Sequence, residues 1–179
     1  MQHWPLILTQ ALFELKNCPD YEETDYGIGV LRKGSIVYHG SCLPHKFKDN
    51  KFWAFHALGK STFKELDEKE RTDEDVLRKR ALAYDNFILF VSQSKQNAEG
   101  YADCWRGFGI VNKFELIQDF VYLQDLDWIG HETKYVGSCI CDAKIKKLGI
   151  SGYGVNYPDG TDEYAICEPE KFLRYIGSV

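Results

Sequence analysis

The side chains able to do chemistry fall into a few short stretches of the 179 residues. His39 and Gly40 close the apolar run Ser35-Ile36-Val37-Tyr38, and a glycine there lets backbone approach a ligand closely because it has no Cβ. Ser92 follows the apolar run Phe87-Ile88-Leu89-Phe90-Val91, and Tyr101 stands in the Ala/Gly-containing stretch Ala98-Glu99-Gly100-Tyr101-Ala102. Glu163 opens the run Glu163-Tyr164-Ala165-Ile166-Cys167. Cys139 and Cys141 form a C-x-C with His131 upstream, half of a zinc site, but no second pair at ligand spacing completes it, so no metal is expected. Each grouping has a bland alternative: a strand-end histidine bonded to backbone, a turn serine, a packed tyrosine, a strand-edge glutamate. Phe90 reads first as a packing residue. The aromatic cluster Phe52-Trp53-Ala54-Phe55-His56 reads as core before it reads as an acceptor surface.

These residues need elements to hold them. A helix is expected over residues 5–17, opened by Pro5, then a polar Gly-containing stretch over 21–34 and a strand at 35–40. Residues 44–71 read as a long irregular excursion, followed by a helix over 73–84 with Thr72 as N-cap. A strand at 87–91, a turn at 92–94, a helix at 95–104 and strands at 109–116 and 120–126 come next. A short helix at 143–148 closes at Gly149, and strands at 163–167 and 172–176 flank Pro169. The pattern is α+β, in a single domain over residues 1–179.

Composition excludes several classes. Hydrophobic residues make up 44% and aromatics 15%, so the chain is neither disordered nor low in complexity. A net charge of −5 without a basic tail argues against general nucleic-acid binding. Arg78-Lys79-Arg80 ends the segment that Asp73-Glu74-Asp75 begins, which suits a helix dipole. No segment has the apolar length of a membrane span. The six cysteines, without a secretory leader at Met1-Gln2-His3-Trp4-Pro5, are expected to be mostly reduced and the protein intracellular.

Three stretches together resemble the ADP-ribosyltransferase superfamily, in its His-Tyr-Glu branch, which includes the poly-ADP-ribose polymerases and diphtheria-type toxins. Val37-Tyr38-His39-Gly40-Ser41 resembles the "Y-H-G-S/T" strand. Phe90-Val91-Ser92 with Ala98-Glu99-Gly100-Tyr101-Ala102 resembles the strand–turn–helix "F/Y-x-S/T … A-x-x-Y-A". Asp162-Glu163-Tyr164-Ala165-Ile166 resembles the "N/D-E-Y/F-x-V" strand. The resemblance runs from residue 37 to 169 and leaves residues 43–86 and 127–160 unmatched. It implies a split β-sheet core with flanking helices, and NAD⁺ as co-substrate. It also requires the strands around residues 36–40 and 163–167 to lie side by side in one sheet.

By that resemblance Glu163, His39 and Tyr101 are the catalytic set. Glu163 stabilises the oxocarbenium-like ribose formed as nicotinamide leaves. His39 bonds a ribose hydroxyl, and Gly40 and Ser41 belong to the same NAD⁺-binding strand. Tyr101 stacks on nicotinamide, with Phe90 on the other side, and Ser92 orients Glu163 by a hydrogen bond. Arginine-modifying members carry Glu or Gln where Thr161 stands and Arg where His39 stands, which disfavours an arginine acceptor. The expected activity is mono-ADP-ribosyl transfer to a macromolecular acceptor, protein favoured, in a compact protein of effector or toxin type. NAD⁺ glycohydrolysis and a catalytically silent NAD⁺-, ADP-ribose- or protein-binding module are the alternatives. A 2′-phosphotransferase would need a basic phosphate site that the acidic balance does not supply.

Overall fold

The computed structural model describes residues 4–17, 25–41, 73, 76, 88–102, 109–127 and 143–179. Within them lie eight strands in two sheets and four helices, an α+β arrangement. In chain order these are α1 (Trp4–Leu15), β1 (Tyr26–Leu31), β2 (Ile36–Ser41), β3 (Ile88–Val91), α2 (Lys95–Ala102), β4 (Ile110–Leu116) and β5 (Phe120–Asp125). The remaining elements are α3 (Ala143–Lys147), β6 (Gly152–Asn156), β7 (Asp162–Cys167), α4 (Pro169–Phe172) and β8 (Leu173–Ser178). The larger sheet runs β1-β5-β6-β7-β3, antiparallel except for β5 against β6, and the smaller runs β2-β4-β8.

Strand alternation gives the larger sheet two apolar faces. One packs on the smaller sheet through Leu89, Val91, Phe120 and Tyr122 against Val37 and Phe114. The other is covered by helices, with Ala11 and Leu15 of α1 and Ile145 of α3 over Tyr26, Leu123 and Tyr153. Truncating a fully buried ring such as Phe114 would cost about 3–5 kcal/mol.

β1 and β6 are absent from the sequence reading, and both are interrupted by glycines. Those glycines make room for one ring. Tyr122 on β5 lies over Gly29 of β1, which it opposes in the ladder, and over Gly154 of β6. A Cβ at Gly154 would sit 2.6 Å from the Tyr122 ring and 2.7 Å from Tyr164. The weak-looking strands are therefore seats for the central aromatics.

One expectation is corrected. β2 and β7 do not lie side by side, because they belong to different sheets with β3 between them. β3 pairs with β7 along its whole length, whereas its only backbone bridge toward β2 is the isolated one between Tyr38 and Ser92, just past its end. There the Tyr38 amide donates to Ser92 O at 2.7 Å and the Ser92 amide donates to Tyr38 O at 2.9 Å. Beyond that bridge the sheets diverge, since Val37, Phe114, Leu89 and Val91 fill the layer between them.

Asp73 Oδ1 accepts the Val76 amide at 3.2 Å, a bond of the helix-cap type, and Thr72, the expected cap, lies outside the described residues. The rest of the 73–84 helix, the 44–71 excursion, Arg78-Lys79-Arg80 and the Phe52–His56 cluster lie outside the described residues. So do His131 and every cysteine except Cys167. Cys167 is buried in β7 and disulfide-bonded, an exception to the expected mostly reduced cysteines. No described helix is long and apolar enough to cross a membrane.

Helix α2 sits directly on β2 at Gly40, where a Cβ would overlap the Ala98 carbonyl and lie 2.7 Å from the Ala102 nitrogen. Gly100, on the same helix, has open space around it. Gly40→Ala is expected to destabilise the fold by about 1–3 kcal/mol. Gly100→Ala is expected to stabilise it by about 0.5–1 kcal/mol. Urea unfolding of the two variants checks both signs.

Candidate active site at the β3–α2 turn

The turn after β3 brings most of the sequence candidates together. Ser94 caps α2, its Oγ accepting the Asn97 amide at 3.2 Å. The helix then seats Ala98 and Ala102 on Val111 and Tyr38, and Tyr101 leaves its exposed side. A Lys95–Glu99 pair at 3.1 Å spans one turn of that exposed surface.

Tyr101 reaches Glu163, its hydroxyl donating to Oε2 at 2.7 Å. Glu163 is only 8% exposed, whereas Tyr101 is 55% exposed. The ring is therefore fixed at its hydroxyl end and open to solvent along much of its surface. Burial of the hydroxyl and the bond to the Glu163 carboxylate hold the Tyr101 phenol well above its ordinary pKa, so it stays a donor at neutral pH.

Asp162, beside Glu163 in β7, grips the start of the same segment. Its Oδ1 accepts Ser92 Oγ at 2.5 Å and the Gln93 amide at 2.7 Å, and its carbonyl accepts Asn97 Nδ2 at 2.7 Å. The expected bond from Ser92 to Glu163 is corrected accordingly: a hydroxyl has one proton, and Asp162 receives it. Tyr101, assigned to stacking alone, is the residue bonded to the Glu163 carboxylate. Charge-assisted bonds of this kind are the strong ones, at about 1.5–3 kcal/mol each.

His39 is held one strand away. Its Nδ1 lies 2.7 Å from Phe90 O, and since a carbonyl only accepts, Nδ1 carries the proton. Burial lowers the imidazole pKa from 6.5 to about 4, the Phe90 bond opposing only partly. His39 is thus neutral at pH 7, with Nε2 as its acceptor nitrogen. A neutral imidazole in this tautomer suits accepting a hydrogen bond from a hydroxyl. The Phe90 side chain packs into the helix-covered face, so its contribution at this point is the carbonyl. Gly40 is required by helix contact, and Ser41 closes β2 opposite Ile110.

Residues without a role in the sequence reading also gather here. Tyr157, at the start of the β6–β7 hairpin, has its phenol pKa raised by burial and then by the charges of Glu163 and Asp125. Asp125, itself buried, accepts Tyr153 OH at 2.7 Å. Tyr26, Asp125, Val155 and Glu163 are successive register partners, which places both carboxylates on one sheet face. Asp162 was legible in the "D-E" dipeptide; the others depend on register, which no local pattern displays.

Comparison with family models, curated proteins and solved structures gives no match for this chain.

The depressed His39 pKa has a definite linkage sign. Between about pH 4 and 6.5 the unfolded chain binds a proton at this site that the folded chain does not. That component of stability is present above 6.5, falls as pH drops, and is fully lost below about 4. The drop in melting temperature from pH 7 to pH 5 should be smaller in His39→Gln than in wild type. Equal drops would show that His39 is not neutral in the fold.

Proposed function

We propose that this chain is a mono-ADP-ribosyltransferase that cleaves NAD⁺ and transfers ADP-ribose to a macromolecular acceptor. The observation that carries the reading is the pairing of Tyr101 with Glu163: a buried carboxylate held by the hydroxyl of a largely exposed aromatic ring. The adjacency of the two motif strands is not among its supports. The Tyr101 hydroxyl as a donor to Glu163 and the neutral His39 imidazole support it instead.

In this reading NAD⁺ supplies a nicotinamide that is already cationic and leaves as a neutral ring, so departure needs no general acid. Tyr101 offers the face on which the ring orients, worth about 0.5–1.5 kcal/mol beyond area burial. Glu163 faces the positive charge growing on the ribose and accepts a ribose hydroxyl. A carboxylate has about four lone-pair sites, so the Tyr101 bond and a ribose bond are compatible. Because Glu163 is already fixed by Tyr101 through strand and helix, little reorganisation is needed as charge develops. His39, neutral with Nδ1–H given to Phe90, accepts a hydrogen bond from another ribose hydroxyl at Nε2 and positions the sugar without moving a proton.

The acceptor attacks the ribose carbon that nicotinamide leaves. Thr161 stands where arginine-modifying enzymes carry Glu or Gln, and both its amide and its hydroxyl are engaged by Asp159 Oδ1, at 2.9 and 2.6 Å. Thr161 itself carries no carboxylate or carboxamide for a guanidinium, which disfavours arginine as the acceptor side chain.

The test is release of nicotinamide from NAD⁺, with and without a cell extract as acceptor source. Glu163→Gln should lower turnover by about 10²–10³-fold, the usual loss when one electrostatic contact to a transition state is removed. Extract should raise wild-type turnover and yield a labelled acceptor. Turnover unchanged by extract would make the activity NAD⁺ glycohydrolysis, and turnover insensitive to Glu163 would refute the assignment of this site.

A further inference from the structure

α2 carries the ring on which the proposed site depends, yet little apolar packing fixes where along β2 the helix lies. It rests on the smaller sheet through Ala98 and Ala102, against Val111 and Tyr38. An alanine methyl makes few of the dispersion contacts that hold a larger side chain in place. Tyr101 is itself mostly exposed, so its placement follows that of the helix. The polar ties of α2 run to β7. Asn97 and Tyr101 are four residues apart and share one side of the helix. They engage consecutive strand residues, Asn97 Nδ2 the Asp162 carbonyl and Tyr101 OH the Glu163 carboxylate.

Asp162 governs the start of the same segment. Its Oδ1 accepts both the Ser92 hydroxyl and the Gln93 amide, and Ser92 Oγ in turn accepts the Ser94 amide at 3.0 Å. Ser94 then starts the helix, its carbonyl accepting the Ala98 amide and its Oγ the Asn97 amide, each at 3.2 Å. One residue is thus tied by its side chain to the turn and by its carbonyl to the first turn of α2, whose next turn bears Tyr101. Nothing in the proposed reaction touches Asp162, since neighbouring strand side chains point to opposite faces and Glu163 takes the other one.

We propose that Asp162 is a positioning residue for this site: through Ser92, Gln93 and Asn97 it holds α2 where Tyr101 meets Glu163. The inference rests on the function proposed above and adds to it a residue that acts without touching substrate. A misplacement of about 1 Å in a reacting constellation can cost about a hundredfold in rate, so such a tie has a kinetic signature. The acceptor atom matters here, and the charge does not. Asparagine keeps an Oδ1 for Ser92 and Gln93 and the carbonyl for Asn97, and gives up only the long 3.4 Å bond from Tyr164 OH to Oδ2. Tyr164 has further acceptors in Asn156 Oδ1 and Gln93 Oε1, at 3.3 and 3.5 Å. Alanine loses Oδ1 and releases the turn.

Steady-state release of nicotinamide from NAD⁺ by the full chain, well below the melting temperature of each variant, reads this role through a double-mutant cycle. Asp162→Ala should lower kcat about tenfold or more in wild type, but less than about threefold in Tyr101→Phe, which keeps the ring and has no hydroxyl to place. Asp162→Asn should stay within about threefold of wild type. Melting temperatures give the same cycle without NAD⁺: removing the Tyr101 hydroxyl should destabilise wild type more than it destabilises Asp162→Ala. If Asp162→Ala does not fold, Asn97→Ala takes its place in both cycles, since it cuts a tie to Asp162 from the helix side and leaves β7 intact. Equal losses of kcat in the two backgrounds, additive melting temperatures, or a kcat for Asp162→Asn as low as that of Asp162→Ala would overturn the inference alone. Absence of nicotinamide release by wild type would overturn it together with the function it rests on.

Discussion

Two adjacent residues at the start of β7 hold one segment from both of its ends. Successive side chains of a strand point to opposite faces. Asp162 therefore turns one way to take Ser92 Oγ and the Gln93 amide, while Glu163 turns the other way and takes Tyr101 OH. The segment from Ser92 to Tyr101 is thereby fixed at its turn and at the last turn of its helix. Asn97 adds a third tie to the Asp162 carbonyl. The position of the exposed Tyr101 ring relative to the buried carboxylate is set by backbone that cannot slide without breaking all of these bonds.

The rest of the architecture serves that clamp. α2 can lie close enough to β2 only because Gly40 has no side chain. The two sheets are tied at the Tyr38–Ser92 bridge, next to the hydroxyl that Asp162 holds. On the far side of β7, Tyr164 packs edge-on to Tyr122 with ring centroids 5.1 Å apart, and Tyr122 is seated over glycines of β1 and β6. The strand that carries the carboxylates is thus backed by an aromatic layer rather than by mobile aliphatic chains. His39 joins through a backbone atom, the Phe90 carbonyl, so its tautomer is set by the same strand that leads into the clamp.

Legibility in the sequence followed the range of the interaction. The strands at β2, β3, β4, β5 and β7 show as apolar or alternating runs, and α2 shows as an Ala-containing segment after Ser94. β1 and β6 do not, because Gly27, Gly29, Gly152 and Gly154 break their apolar patterns; what those glycines accommodate, Tyr122 and Phe120, is distant in sequence. His39, Tyr101 and Glu163 were legible as motif residues. Their partners were not. Ser92 bonds Asp162 rather than Glu163, and which carboxylate a hydroxyl meets is decided by the twist of two paired strands. Asn112, buried opposite His39, gave no signal, since its place is set by the ladder of two strands distant in sequence.

The most direct measurement is a crystal structure of Glu163→Gln soaked with NAD⁺, the substitution slowing cleavage while keeping the shape of the side chain. The nicotinamide ring should lie against Tyr101, with a hydroxyl of its ribose bonded to residue 163 and another ribose hydroxyl at His39 Nε2. NAD⁺ bound elsewhere, or bound here with its nicotinamide end away from Tyr101 and residue 163, would contradict the account.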